Sequence, residues 1–100
     1  MHALAVALVL LHGVVMRGPT KPVCEMTTPC TEPAAQVALV FARRGAPAVR
    51  VRTDAHGRYR VRLRPGRYVV RVTRIQRIQP NVVVVRVPRR VDFMIDTGIR

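Results

Sequence analysis

The alternation from Arg58 to Arg64 limits the fold more than any other feature. Tyr59, Val61 and Leu63 occupy one phase, and Arg58, Arg60, Arg62 and Arg64 the other. A period of two puts alternate side chains on opposite faces of an extended strand, hydrocarbon toward a core and guanidinium toward water. As a helix the same residues would spread charge around the whole circumference, so the segment reads as a half-buried strand. The period continues on both sides. Val37, Leu39 and Phe41 alternate along one strand, Val49, Val51 and Thr53 along the next, and Tyr68, Val70 and Val72 along a third. Val91, Phe93 and Ile95 alternate with Asp92, Met94 and Asp96 near the end.

Turn chemistry separates these runs at intervals of about eight to twelve residues, the spacing of an antiparallel sandwich. Arg43-Arg44-Gly45-Ala46-Pro47 breaks the first strand. In Asp54-Ala55-His56-Gly57 the aspartate favours the first turn position and glycine the left-handed one at the end, which predicts a hairpin. Pro65-Gly66 makes a second turn, and Pro88-Arg89-Arg90 a third break. Asn81 to Val87 is almost all valine, as in a strand covered on both faces or one at a sheet edge, and its register stays open. With a strand around His12 to Arg17, the expectation is an all-β, seven-stranded antiparallel β-sandwich in one domain, residues 12–100. A chain of 100 residues has room for one modest core.

Residues 1–11 form a separate hydrophobic leader in this reading. The apolar run from Ala3 extends to Met16, fourteen residues, before Arg17. A membrane-spanning helix needs about 20. The length suits the core of a secretory signal, but Met1-His2 supplies no cation and no small-x-small cleavage site follows. Three readings stay open: a signal whose true start lies upstream, a short uncleaved leader, or a long first strand. The first two imply export.

Cys24 and Cys30, in VCEMTTPC, fit neither a C-x-x-C redox motif nor a lipoprotein box, and His2, His12 and His56 are too scattered to complete a metal site. The functional reading is a structural disulfide pinning a long loop, worth about 2 kcal/mol for so small a ring; the alternative is two unpaired thiols. Export and a disulfide support each other.

Lys+Arg number 18 against Asp+Glu 5, a net charge of +13, so a partner chosen by charge is an anion. With 49% hydrophobic residues the chain is too apolar for a disordered polycation. Lys21 is the only lysine, and a composition rich in Arg, Val, Ala and Pro is also what GC-rich codon usage writes. The charge therefore has two candidate origins, selection for binding and mutational bias.

Thr53-Asp54-Ala55-His56-Gly57-Arg58-Tyr59 followed by Leu63-Arg64-Pro65-Gly66-Arg67-Tyr68-Val69-Val70 resembles the T-D-x-x-G-x-Y and L-x-P-G-x-Y-x-V signature of carboxypeptidase regulatory-like domains. These are prealbumin-type (transthyretin-like) Greek-key sandwiches related to Cna-B repeats and starch-binding modules. The resemblance spans roughly residues 12 to 96. It implies a non-catalytic, secreted or surface-displayed module in which Asp54, Gly57, Pro65 and Gly66 shape turns while Tyr59 and Tyr68 fill the core and tie a phenol to backbone. The special activities of these relatives are disfavoured. Lys21 and Asn81 are misplaced for a Cna-B crosslink. The Asp96-Thr97-Gly98-Ile99-Arg100 ending departs from the Tyr-Arg-Gly-Ser of hydroxyisourate hydrolases. Both Tyr and both Phe fall on inward phases, leaving none to stack on sugars.

No enzyme chemistry stands out. The chain has no serine. Asp92 and Asp96, four apart on a strand, stand about 13 Å apart, too far for a glycosidase acid and base pair. No cofactor and no tightly bound small molecule is expected. The remaining feature is an Arg comb: Arg50 and Arg52 on one strand, Arg58, Arg60, Arg62 and Arg64 on its expected hairpin partner, and Arg67 and Arg71 beyond the next turn. If that hairpin forms, all share one outward face. The expected function is a structural or adhesive module whose Arg face contacts an anionic cell-envelope polymer, an acidic lipid surface or an acidic protein. The alternatives are a transthyretin-type enzyme remnant, in which His56 would matter, and a nucleic-acid-binding domain. The latter is disfavoured by export and by the lack of an exposed aromatic for stacking bases.

Overall fold

The computed structural model describes residues 7–24, 29–73 and 76–98. Among them the chain forms ten strand segments and no helix: β1 (Val9–Gly18), β2 (Glu32–Pro33), β3 (Ala38–Ala42), β4 (Val49–Arg52), β5 (Arg58–Leu63), β6 (Gly66–Val72), β7 (Arg77–Gln79), β8 (Val82–Val85), β9 (Arg89–Arg90) and β10 (Phe93–Asp96). They make two sheets facing each other across one core. In the first, the long β1 is central, with β5 and β2 along one side and β9 and β10 along the other, and β7 lies beyond β10. The second runs β4-β3-β6-β8.

The phases read from the sequence hold. Leu39, Phe41, Tyr59, Leu63, Tyr68, Val70, Phe93 and Ile95 are buried, and Val37, Val49 and Val51 pack against them. Phe41, Tyr59 and Phe93 form an aromatic triangle with ring centroids 5.5 to 6.2 Å apart. Each tyrosine hydroxyl finds a backbone acceptor: Tyr59 donates to the Val91 carbonyl at 2.6 Å and Tyr68 to the Arg64 carbonyl at 2.7 Å. Burial and the nearby Asp92 carboxylate push the Tyr59 hydroxyl far above the usual phenol range. Both phenols thus add a polar tie to their buried rings.

Three expectations are corrected. The sandwich is not wholly antiparallel, because β1 pairs in parallel with β9 and β10. Parallel neighbours need a long crossover, and nearly the whole chain between β1 and β9 supplies it. The seven-strand count missed the short β2, β7 and β9, whose two or three residues are too few to show a period. Finally, β4 and β5 are not hairpin partners. β5 forms a six-pair antiparallel ladder with β1, from Val9↔Leu63 to Val14↔Arg58, while β4 pairs with β3.

The turn between them explains the split. Asp54 Oδ1 accepts the N–H groups of His56 (2.8 Å) and Arg58 (2.9 Å). Gly57 has φ +76°, and its carbonyl accepts the Val15 N–H of β1 at 2.7 Å. Just upstream, buried Thr53 donates its hydroxyl to the Ala34 carbonyl and accepts the Val37 N–H at 2.9 Å, which holds the end of β4 to the segment leading into β3. The turn is a corner that carries the chain from one sheet to the other.

The leader boundary after residue 11 falls inside β1, where Val9 and Leu11 are core residues. The leader reading of residues 1–6 lies outside the described residues. Cys24 and Cys30 form a disulfide with Cα atoms 5.5 Å apart. A disulfide is the state of thiols in an oxidising, extracytoplasmic environment.

Acid should weaken this fold in a definite window. The Asp54 carboxyl is held below the usual carboxylate range, first by the Arg58 N–H and, against an opposing desolvation effect, by the His56 N–H and the Arg58 and His56 charges. Asp92 is lowered by its hydrogen bond to Arg90 and by the Val14 N–H. A depressed carboxyl stabilises the fold fully above its unfolded value near 4 and loses that contribution as pH falls through its folded value. Thermal unfolding followed from pH 7 to pH 2 is therefore expected to show stability falling below about pH 4. The Asp54→Asn, Asp92→Asn double variant should flatten that fall, and an unchanged profile would refute the assignment.

Candidate functional site

Because β4 and β5 belong to different sheets, the arginine comb is divided between two faces, which meet only at the edge where Arg52 of β4 lines one surface cavity with Asp54, Arg58 and Arg60. Arg58, Arg60 and Arg62 are exposed on the outer face of the β1-containing sheet. Arg50, Arg52, Arg67 and Arg71 are exposed on the outer face of the β4-β3-β6-β8 sheet. Arg64 is exposed in the turn between β5 and β6. The single platform carrying all of these residues does not form.

The two faces differ in how their charge is balanced. On the first, Arg60 stands opposite His12 of β1, and His12 opposite Arg90 of β9. Acids are interspersed. Arg90 Nε lies 3.1 Å from Asp92 Oδ1, which also accepts the Val14 N–H at 2.9 Å. Arg58 Nε lies 3.8 Å from Asp54 Oδ2, and Asp96 stands opposite Arg77 in the ladder. At the sheet's end Arg17 pairs with Glu32 at 2.7 Å. His56 is exposed at the corner, its backbone N–H held by Asp54.

The second face carries no acidic side chain among the described residues, and none of their ion pairs engages Arg50, Arg52, Arg67 or Arg71. Its register places Arg50 of β4 and Arg71 of β6 on either side of Val40 of β3. Arg52 stands opposite Ala38, and Arg67 opposite Val84 of β8. Ala42, Val69 and Val82 form a further row across β3, β6 and β8. The face is thus an apolar floor among guanidinium groups. Val69 and Val84 are each 40% exposed, whereas a water-facing sheet surface ordinarily alternates to polar residues. These outward valines were missed by reasoning from inward phases. The signal for them was present in Val69-Val70 and Val82–Val85, where apolar residues fill both phases.

Arg43 belongs to neither set. Its guanidinium donates to the Pro65 carbonyl at 3.1 Å and lies 5.9 Å from the Tyr68 ring centroid, so it braces the β5–β6 turn.

No family model matches the chain, and no curated protein matches it. Among solved structures, a DUF3823 family protein from Parabacteroides merdae is similar in fold, with a TM-score of 0.60 at 15% sequence identity. The alignment covers 91% of this chain and 47% of that one, so the chain spans about half the length of this structural neighbour. At that identity the likeness concerns the fold alone.

Proposed function

We propose that this chain is a non-catalytic, carboxypeptidase regulatory-like β-sandwich module of the prealbumin type. We assign it to the secreted or cell-envelope compartment, where it acts as a structural or adhesive domain by contacting an anionic surface. The observation that carries the binding role is the outer face of the β4-β3-β6-β8 sheet, where Arg50, Arg52, Arg67 and Arg71 make no ion pair with an acid among the described residues. Arg50 and Arg71, about 10 Å apart across Val40, lie within roughly one screening length and repel each other. A bound anion would offset that repulsion, and guanidinium is well suited to phosphate and carboxylate. The family assignment is supported by the corner built from Asp54 and Gly57 and by the two tyrosines tied to backbone, the roles the resembling motif implies for these positions. The compartment is supported by the Cys24–Cys30 disulfide.

The test is retention on immobilised heparin over a salt gradient. Retention is expected to weaken steeply with ionic strength, because exposed charges are screened beyond about 10 Å at 0.1 M salt. Replacing Arg50, Arg52, Arg67 and Arg71 together by Gln should move elution to much lower salt, and the Arg60, Arg62→Gln variant should move it less. Equal elution of the fourfold variant and the parent protein would overturn the proposal.

A further inference from the structure

We propose that the β4-β3-β6-β8 face docks on an anionic lipid bilayer, with its four guanidinium groups at the headgroup phosphates and its valines against the boundary with the acyl chains. This rests on the reading of that face as an anion-contacting surface and names its partner.

A soluble polyanion would use the charges and leave the floor idle. The floor is where a lipid surface differs. Val40 lies directly between Arg50 and Arg71, and Val84 directly beside Arg67. Adjacent strands are about 4.8 Å apart, so Arg50 and Arg71 flank Val40 at a separation of about 10 Å. Val69 and Val84 are the most open apolar side chains of this surface. Arginine stems are themselves apolar and let the charged head reach outward while the stem lies along hydrocarbon. Cations beside exposed aliphatic groups on one surface are the combination that binds membrane interfaces, where apolar burial and attraction to acidic lipids add.

A second copy of the chain fits this face poorly. A two-fold contact is self-complementary, so it would bring the same arginines against each other with none of the described acids on that face to separate them. The described acids lie elsewhere or at its edge: Glu32 with Arg17, Asp54 at the corner beside Arg52, Asp92 between β9 and β10, and Asp96 on β10 of the other sheet.

The experiment is co-sedimentation of the full chain with vesicles of phosphatidylcholine alone and of a two-to-one phosphatidylcholine and phosphatidylglycerol mixture, run beside heparin retention. Binding is expected for the mixture and not for phosphatidylcholine alone. Arg50, Arg71→Gln should lower vesicle partitioning about thirtyfold and also lower heparin retention. Val69, Val84→Thr keeps β-branched side chains and strand propensity, and circular dichroism checks that it folds. It should lower vesicle partitioning about tenfold and leave heparin retention unchanged. Heparin retention without vesicle binding, or vesicle binding indifferent to Val69, Val84→Thr, would overturn the bilayer assignment and leave the anionic-surface reading standing. Loss of both would overturn both. A concentration-dependent dimer in light scattering, abolished by Val69, Val84→Thr, would reassign the face to a second copy.

Discussion

Gly13→Ala is expected to lower stability by roughly 3 kcal/mol, a large part of the 5 to 15 kcal/mol typical of a small domain. The reason is close approach rather than backbone conformation. A Cβ at position 13 would collide with the Val91 carbonyl oxygen and stand 2.8 Å from Asp92 Oδ1. Neither neighbour can step aside freely. The Val91 carbonyl accepts the Tyr59 hydroxyl at 2.6 Å, the Val91 N–H donates to the His12 carbonyl at 2.9 Å, and Asp92 Oδ1 holds the Val14 N–H. The methyl group would push β1 away from β9 and β10 and disrupt their parallel seam with it. Thermal unfolding should show a midpoint about 12 to 24 °C lower. Gly45→Ala is the control. Nothing lies within 4 Å of its added Cβ, so the φ of +77° leaves only the left-handed penalty, about 1 kcal/mol. A Gly13→Ala protein as stable as the Gly45→Ala protein would mean that β1 is not pinned against Val91.

Phe93→Ala should cost still more, about 3 to 5 kcal/mol, from lost burial plus the cavity left behind. Phe93 is buried on β10 in the first sheet, with its ring centroid 5.5 Å from that of Tyr59 on β5 and 6.2 Å from that of Phe41 on β3. The triangle therefore joins both sheets. Urea unfolding would measure the loss through the transition midpoint. Met94→Ala, one residue on at an exposed position of the same strand, should change stability by no more than about 0.5 kcal/mol. Equal midpoints for the two variants would remove the aromatic triangle from the core.

Most local structure was legible in the sequence because strand phase is a local property. A side chain between two neighbours of opposite polarity points inward or outward whatever the strand later pairs with, so Tyr59, Val61 and Leu63 were placed in the core without knowledge of β1. The same holds for turn chemistry: Asp54 caps its turn through N–H groups two and four residues ahead. The disulfide was legible from the failure of Cys24 and Cys30 to fit other uses. The division of the arginines was not legible. Alternation gives each strand an inner and an outer face, but in a sandwich the outer faces of the two sheets point to opposite sides of the molecule. Knowing that Arg50 and Arg60 both point outward does not show that they share a surface.

The sequence by itself determined the all-β class, the inward residues, the turn at Asp54 to Gly57 and the excess of positive charge. Only the tertiary structure decided that β5 leaves β4 to pair with β1, that the last strand runs parallel to the first, and that one face gathers Arg50, Arg52, Arg67 and Arg71 around valine. The physical reason is that pairing partners are chosen by long-range competition. β1 offers β5 a six-pair ladder and the Gly57 carbonyl an N–H donor, while β3 and the Thr53 hydroxyl bonds hold β4 in the opposite sheet.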